Sequence, residues 1–318
     1  MSVVYIGTSE FAAAVLEHLA RGGAHRPSLV ITRPDRRAGR GRALTAPPVA
    51  ERARALGLSL EQPESVNDER TRALIARAAG PRGTVVVCAF GALIREPLLS
   101  EHELLNVHPS LLPRWRGAAP VERAIMAGDE RTGVCIMRLT AGLDSGPVCL
   151  QAAEPIAPQD TYGSLAERLQ RLGGELLARA LQERPPFVDQ DEQGATYAEK
   201  IEAADRLLDP LRPAAELERV VRALHPHIGA RVALADGTLL GVQRAALVGE
   251  DDVAHELGAL AQDGSPSSTA ARPGVLVSAE RLLLACSPGL LELLVVQPPG
   301  GRAMDAASYL RGHPPGRP

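Results

Sequence analysis

The sequence predicts a mixed α/β fold: a Rossmann-like domain with a mostly parallel sheet, then a smaller OB-like β-barrel. Three observations carry this. Through the first half, apolar runs alternate with amphipathic stretches of helix length. A proline-rich and polar interruption at residues 185–194 then breaks the rhythm. Beyond it, short apolar runs recur at the spacing of strands in a small barrel. A chain of 318 residues is long for one domain and sufficient for two, each with its own core. The expected division is a first domain at 1–187, a linker at 188–204 and a second domain at 205–318.

Taken in order, residues 3–6 read as a strand, 10–20 as a helix and 28–32 as a second strand. A helix opens near Pro47-Pro48, where proline suits a first turn, and another covers 67–79. The runs 84–89, 104–108 and 133–139 are separated by helix-length segments, which is the βαβ signature of a parallel sheet covered by helices. Residues 161–181 place Leu165, Leu169, Leu172, Leu176 and Leu177 at three- to four-residue spacing, a core-facing helical stripe. After the interruption come a helix at 213–224 and strands at 231–234, 238–247, 274–277, 281–285 and 290–297. The Ser-, Ala-, Gly- and Pro-rich residues 262–272 read as a loop between two of those strands.

Composition excludes some functions. With 45% hydrophobic and 23% charged residues the chain is neither a disordered nor a membrane type, and no apolar run approaches the ~20 residues of a membrane span. The N-terminal residues lead into an ordinary strand and turn without a signal-peptide pattern, so a cytoplasmic location is expected, with no membrane partner. The four cysteines lack any C-x-x-C pairing and read as idle thiols. The eight histidines show no metal-ligand spacing, so no metal is expected. A net charge of −3 argues against coating nucleic acid through bulk charge, which leaves that role to local patches.

Chemistry concentrates at the end of the 104–108 strand. Alternation puts Asn106 and His108 on one side of it, at the strand end where open α/β sheets bind ligands. An amide that donates to a developing oxyanion, beside an imidazole that moves a proton near neutral pH, suits acyl transfer. The two could equally cap a strand end with satisfied hydrogen bonds. The following stretch, Ser110 to Pro120, holds stiff prolines, small residues and the single tryptophan, which suggests a shaped wall for a planar ligand. Asp144, in Gly142-Leu143-Asp144-Ser145-Gly146, could pair with His108 and hold a water, or serve as an Asx-turn residue. Arg33, Arg36, Arg37, Arg40 and Arg42 put five positive charges within ten residues beside glycines, either a finger for a phosphate backbone or a solvated arginine loop.

Residues 106–120, Asp144-Ser145-Gly146 and the opening Gly7-Thr8-Ser9-Glu10-Phe11-Ala12 resemble the formyltransferase family that takes its one-carbon unit from 10-formyltetrahydrofolate. The resemblance implies a catalytic trio of Asn106, His108 and Asp144. It also implies a folate site lined by Phe90, Gly91, Leu93, Ser110, Leu111, Leu112 and Pro113. Residues 34–42, Thr196-Tyr197-Ala198-Glu199-Lys200 and the turn at 297–304 are similar to the branch of the family whose acceptor is methionyl initiator tRNA. On that resemblance Arg36, Arg37, Arg40, Arg42 and Lys200 contact tRNA, and a monomer is expected. The pattern departs at Ala43, where a second basic residue is common, and at residues 223–231, which lack the family's tryptophans.

Two rival readings follow from the same residues. One is an enzyme of the same donor family acting on a small amine, such as glycinamide ribonucleotide or an amino sugar, which would share the trio. The other is a non-catalytic RNA-binding protein. The turn at Gly7 lacks the G-x-G-x-x-G pattern of a dinucleotide-binding dehydrogenase.

Overall fold

A computed structural model describes residues 2–38, 43–249, 252, 274–278 and 281–313. The chain forms two compact units. One comprises Met1–Pro120, Arg131–Pro155 and Ala166–Glu199; the other comprises Val121–Glu130, Ile156–Leu165 and Lys200–Pro318. Through residue 198 the elements are β1 (Val3–Gly7), α1 (Glu10–Arg21), β2 (Leu29–Ile31), β3 (Arg36–Ala38), β4 (Ala43–Thr45), α2 (Pro48–Ala55), β5 (Leu60–Glu61), α3 (Glu69–Ala79), β6 (Thr84–Cys88), α4 (Leu98–Glu101), β7 (Glu103–His108), β8 (Arg116–Gly117), α5 (Pro120–Ala127), β9 (Arg131–Arg138), β10 (Val148–Pro155), α6 (Tyr162–Glu183) and β11 (Tyr197–Ala198). Then come α7 (Ala214–Leu224), β12 (Ala230–Ala233), β13 (Leu239–Leu247), β14 (Gly274–Ser278), β15 (Arg281–Ala285), β16 (Leu290–Gln297), β17 (Met304–Asp305) and α8 (Ala306–Gly312).

The first unit is built on a seven-stranded sheet in the order β10-β9-β7-β6-β1-β2-β5. The five strands from β7 to β5 are parallel, while β9 and β10 add antiparallel at one end. β1 and β6 are buried along their whole length, which is why they read as unbroken apolar runs rather than alternating ones. On one face Val4, Ile6, Val85, Val87 and Leu104 pack with Ile75 and Ala79 of α3. On the other face α6 comes so close that a Cβ at Gly173 would lie 3.1 Å from Val107 and 3.7 Å from both Val134 and Val15. Helix α1 starts where the Ser9 hydroxyl accepts the Ala12 N–H at 3.3 Å, with Glu10 in the first turn and Arg21 in the last. The chain leaves β1 toward β2 on one side and reaches β6 on the other, so the sheet's switch point lies at the carboxyl ends of β1 and β6.

In the second unit an antiparallel sheet, β12-β13-β16-β15-β14 with β17 also on β16, curls into an OB-like half-barrel. Register shifts between Val242 and Ala245 bend β13. Helix α7 buries Leu217, Val220, Val221 and Leu224 in a core with Val232, Leu240, Leu284, Leu291 and Val296. The expected loop at 262–272 lies outside the described residues. Two features differ from the sequence reading. The stretch read as an arginine loop enters and leaves as the strand pair β3–β4. Residues 188–199, within the 188–204 stretch read as linker, belong to the first unit: Val188 bridges to Val148, Gln190 and Glu192 bond the Arg116 side chain, and β11 pairs with β8.

Candidate active site

Asn106 and His108 stand on the carboxyl half of β7, on the face that carries Val87, Met137 and Cys135 as their cross-strand partners. Both are buried, 8% and 4% exposed. The loop after β9 brings Asp144 to them. Its Oδ1 accepts from Asn106 Nδ2 at 3.4 Å, and its Oδ2 lies 3.6 Å from His108 Nδ1. The same Oδ2 accepts the Gly117 N–H at 2.9 Å. His108 Nε2 lies 2.8 Å from the Trp115 carbonyl, an oxygen that can only accept. That contact puts a proton on Nε2 and turns Nδ1 toward the carboxylate. Amide, imidazole and carboxylate thus form one cluster, able to donate to an oxyanion and to move a proton.

The backbone around the cluster is held in uncommon conformations. Ala89, Trp115 and Asp144 have φ of 42°, 65° and 44°, three of the four non-glycine residues in the left-handed region among those described. Such residues persist where neighbouring contacts fix them. Gly117 has φ 122°, and a Cβ there would fall 2.7 Å from the Ala198 carbonyl oxygen. Gly117→Ala is therefore expected to cost about 1–3 kcal/mol from the backbone conformation alone, seen as a lower urea midpoint at unchanged slope.

The residues expected around the folate differ in what surface they offer. Phe90 is in the core and its carbonyl accepts the Thr8 hydroxyl at 2.7 Å. The Ser110 hydroxyl donates to the Arg114 carbonyl at 2.7 Å, and Leu112 is buried against Cys135 and Met137. Gly91 and Leu93 are exposed, while Leu111 and Pro113 are half-buried. Of the residues expected to meet tRNA, Arg36 and Arg37 are exposed on β3 and Lys200 is exposed, while Arg40 and Arg42 lie outside the described residues. His225 and His227, read as turn residues, have partners within their own unit. His227 Nε2 is 2.9 Å from Glu122 Oε1 and its ring stacks on Tyr162 at 3.6 Å; His225 Nδ1 is 3.3 Å from Gln243 Oε1. Burial pushes the thiols of Cys88 and Cys135 up to about 12, so neither offers a thiolate nucleophile near neutral pH. Among the described residues no group of three or more His, Cys, Asp or Glu could hold a metal ion, and no helix is long and apolar enough to cross a membrane.

The sequence reading missed Arg116, Gln190 and Glu192 as parts of this site. The Gln190 side chain holds the Asp144 and Gly146 carbonyls, and it is itself held by Arg116. No local pattern marks these contacts, which join positions 44 to 76 residues apart.

A doubly wound sheet that carries an amide, an imidazole and a carboxylate together at its strand ends, with a curled antiparallel unit after it, is suited to a two-unit enzyme of acyl-group transfer. The chain belongs to the formyl transferase family: residues 1–181 match the family model described as formyl transferase, and residues 200–314 match the formyl transferase C-terminal domain. It is similar to a methionyl-tRNA formyltransferase of Dechloromonas aromatica (strain RCB), 39% identical over 317 residues, covering 99% of this chain and 96% of the relative. A methionyl-tRNA formyltransferase of Halorhodospira halophila is 41% identical over 320 residues, covering 98% and 96%. Among solved structures, the N-formyltransferase of Helicobacter canadensis, in complex with folinic acid and dTDP-3-aminofucose, shares the fold with a TM-score of 0.64 at 14% identity, covering 92% of this chain and 98% of that one.

Proposed function

We propose that this chain transfers the formyl group of 10-formyltetrahydrofolate to the α-amino group of methionyl initiator tRNA, as a cytoplasmic monomer. The likeness to methionyl-tRNA formyltransferases along nearly the whole chain carries the proposal. An intact Asn106–His108–Asp144 cluster supports catalysis rather than RNA binding alone. The fold shared with an amino-sugar enzyme leaves the small-amine reading on fold alone, since that likeness is only 14% in sequence. In this division of labour residues 1–187 catalyse, with Gln190 and Glu192 of the 188–204 segment held beside them, and 205–318 hold tRNA.

The neutral methionyl amine attacks the formyl carbon, and the carbonyl electron pair moves onto oxygen. Asn106 and the His108 imidazolium stabilise that oxyanion, while Asp144 orients both. The tetrahedral intermediate collapses as the carbon–nitrogen bond to the folate N10 breaks. The proton lost by the attacking nitrogen goes to N10, through His108 or a water held by Asp144. Tetrahydrofolate and formylmethionyl-tRNA leave, with no acyl-enzyme between. Gly91, Leu93, Leu111 and Pro113 supply the surface for the folate, with Phe90, Ser110 and Leu112 shaping the backbone beneath it.

Arg36, Arg37, Arg40 and Arg42 contact tRNA phosphates, and Lys200, the single lysine of the chain, meets the acceptor end. Replacing Arg40 and Arg42 together with alanine is expected to weaken tRNA binding and lower the slope of log K against log salt by about two, with folate affinity unchanged. Unchanged tRNA affinity removes this segment from the interface.

The direct test is transfer of labelled formyl from 10-formyltetrahydrofolate to methionyl initiator tRNA, with methionyl elongator tRNA and free methionine as parallel acceptors. Initiator-selective labelling is expected. Donor turnover without labelled tRNA moves the acceptor to a small amine or water, and no turnover leaves the RNA-binding reading.

A further inference from the structure

Asp144 reaches Asn106 and His108 from a loop whose backbone is left-handed at Asp144 itself, with φ 44°. Something must hold that loop. The Gln190 carboxamide does so from outside it: Nε2 donates to the Asp144 carbonyl at 2.8 Å and to the Gly146 carbonyl at 2.7 Å. Its Oε1 accepts from Arg116 Nε at 3.0 Å and Nη2 at 2.9 Å. Arg116 is only 2% exposed, and its guanidinium is fixed by Glu192 through a fork at 2.9 and 2.8 Å. That fork holds the Glu192 carboxyl below its usual range. The next residue after Arg116 is Gly117, whose N–H binds the Asp144 carboxylate. One strut built on the buried Arg116 therefore grips Asp144 twice, by its carbonyl through Gln190 and by its carboxylate through the strand that carries Arg116.

We infer that Gln190, backed by the Arg116–Glu192 pair, is a positioning residue for catalysis: its carboxamide sets where the Asp144 carboxylate sits against Asn106 and His108. The inference rests on the reading of Asp144 as a member of the catalytic cluster. The position requires a carboxamide, because the same planar group must offer two N–H bonds to the loop carbonyls and an oxygen to the guanidinium. A carboxylate there keeps the shape and strengthens the contact to Arg116, yet it turns an acceptor toward two carbonyl oxygens and releases the loop.

The test uses the full chain carrying Gln190→Glu, Asp144→Asn and both together, assayed for formyl transfer to methionyl initiator tRNA and for thermal unfolding. Gln190→Glu is expected to keep its unfolding midpoint and its KM for tRNA while kcat falls about tenfold to a hundredfold, the range for a displaced catalytic group. In the Asp144→Asn background the same change is expected to cost less than about twofold, because both act through one carboxylate. Gln190→Met, which removes the hydrogen bonds without adding charge, is expected to lower kcat in the same way. If Asp144→Asn is crippled while Gln190→Glu and Gln190→Met turn over normally, or if the losses multiply independently, the strut has no positioning role. If Asp144→Asn itself is fully active, the reading of Asp144 fails first and this inference with it.

Discussion

Asn106→Ala is expected to lower kcat by roughly a hundredfold to a thousandfold, with KM for both substrates little changed. The amide is buried at the end of β7 and bound to Asp144, so its donor is fixed before substrate arrives. A donor held in that way gains most where negative charge develops, and its loss removes about 3–4 kcal/mol of transition-state stabilisation. The substitution also leaves Asp144 with one fewer partner, while the Gly117 N–H and the Gln190 grip remain to hold the loop. Single-turnover transfer from 10-formyltetrahydrofolate to methionyl initiator tRNA reads the chemical step directly. Turnover within a few-fold of the parent would remove Asn106 from the oxyanion site.

His108→Ala is expected to cost about a hundredfold to ten-thousandfold in kcat, the usual worth of a positioned acid–base group. Its ring is anchored at Nε2 by the Trp115 carbonyl and faces Asp144 through Nδ1, so its orientation is fixed and Nδ1 is the nitrogen left to gain or lose a proton. Loss of the ring removes a proton carrier and the cation beside the forming oxyanion together. Because His108 and Asn106 act on one transition state, the double variant is expected to lose far less than the product of the single losses. Full multiplication of the two would mean that they serve separate steps. Added imidazole that restores part of the rate of His108→Ala would confirm the proton-carrying role.

Much of this arrangement was legible from local pattern. The five parallel strands of the first sheet are flanked by helices whose starts carry proline or a capping residue, Pro48 for α2, Ser9 for α1 and Asp68 for α3. The exception among the strands was β5, only two residues long and held by its neighbour. Strand β10 was missed for another reason. Its residues, Val148–Pro155, carry few β-branched side chains and a polar exposed edge, so β9 supplies the order that their own sequence does not. The short strands β8 and β11 have no periodicity to read and exist only because they pair with each other.

The sequence by itself determined the class of fold, the strand end that carries Asn106 and His108 on one face, and the residue types that suit acyl transfer, because alternation, capping and apolar periodicity act over a few residues. Only the tertiary structure decided that Asp144 lies 3.6 Å from His108, that Arg116 is buried, and that Gln190 in an apparent linker grips the loop that carries Asp144. These contacts join segments about 40 to 80 residues apart, where the hydrogen-bond partner of a buried group is chosen by packing and not by its neighbours in the chain.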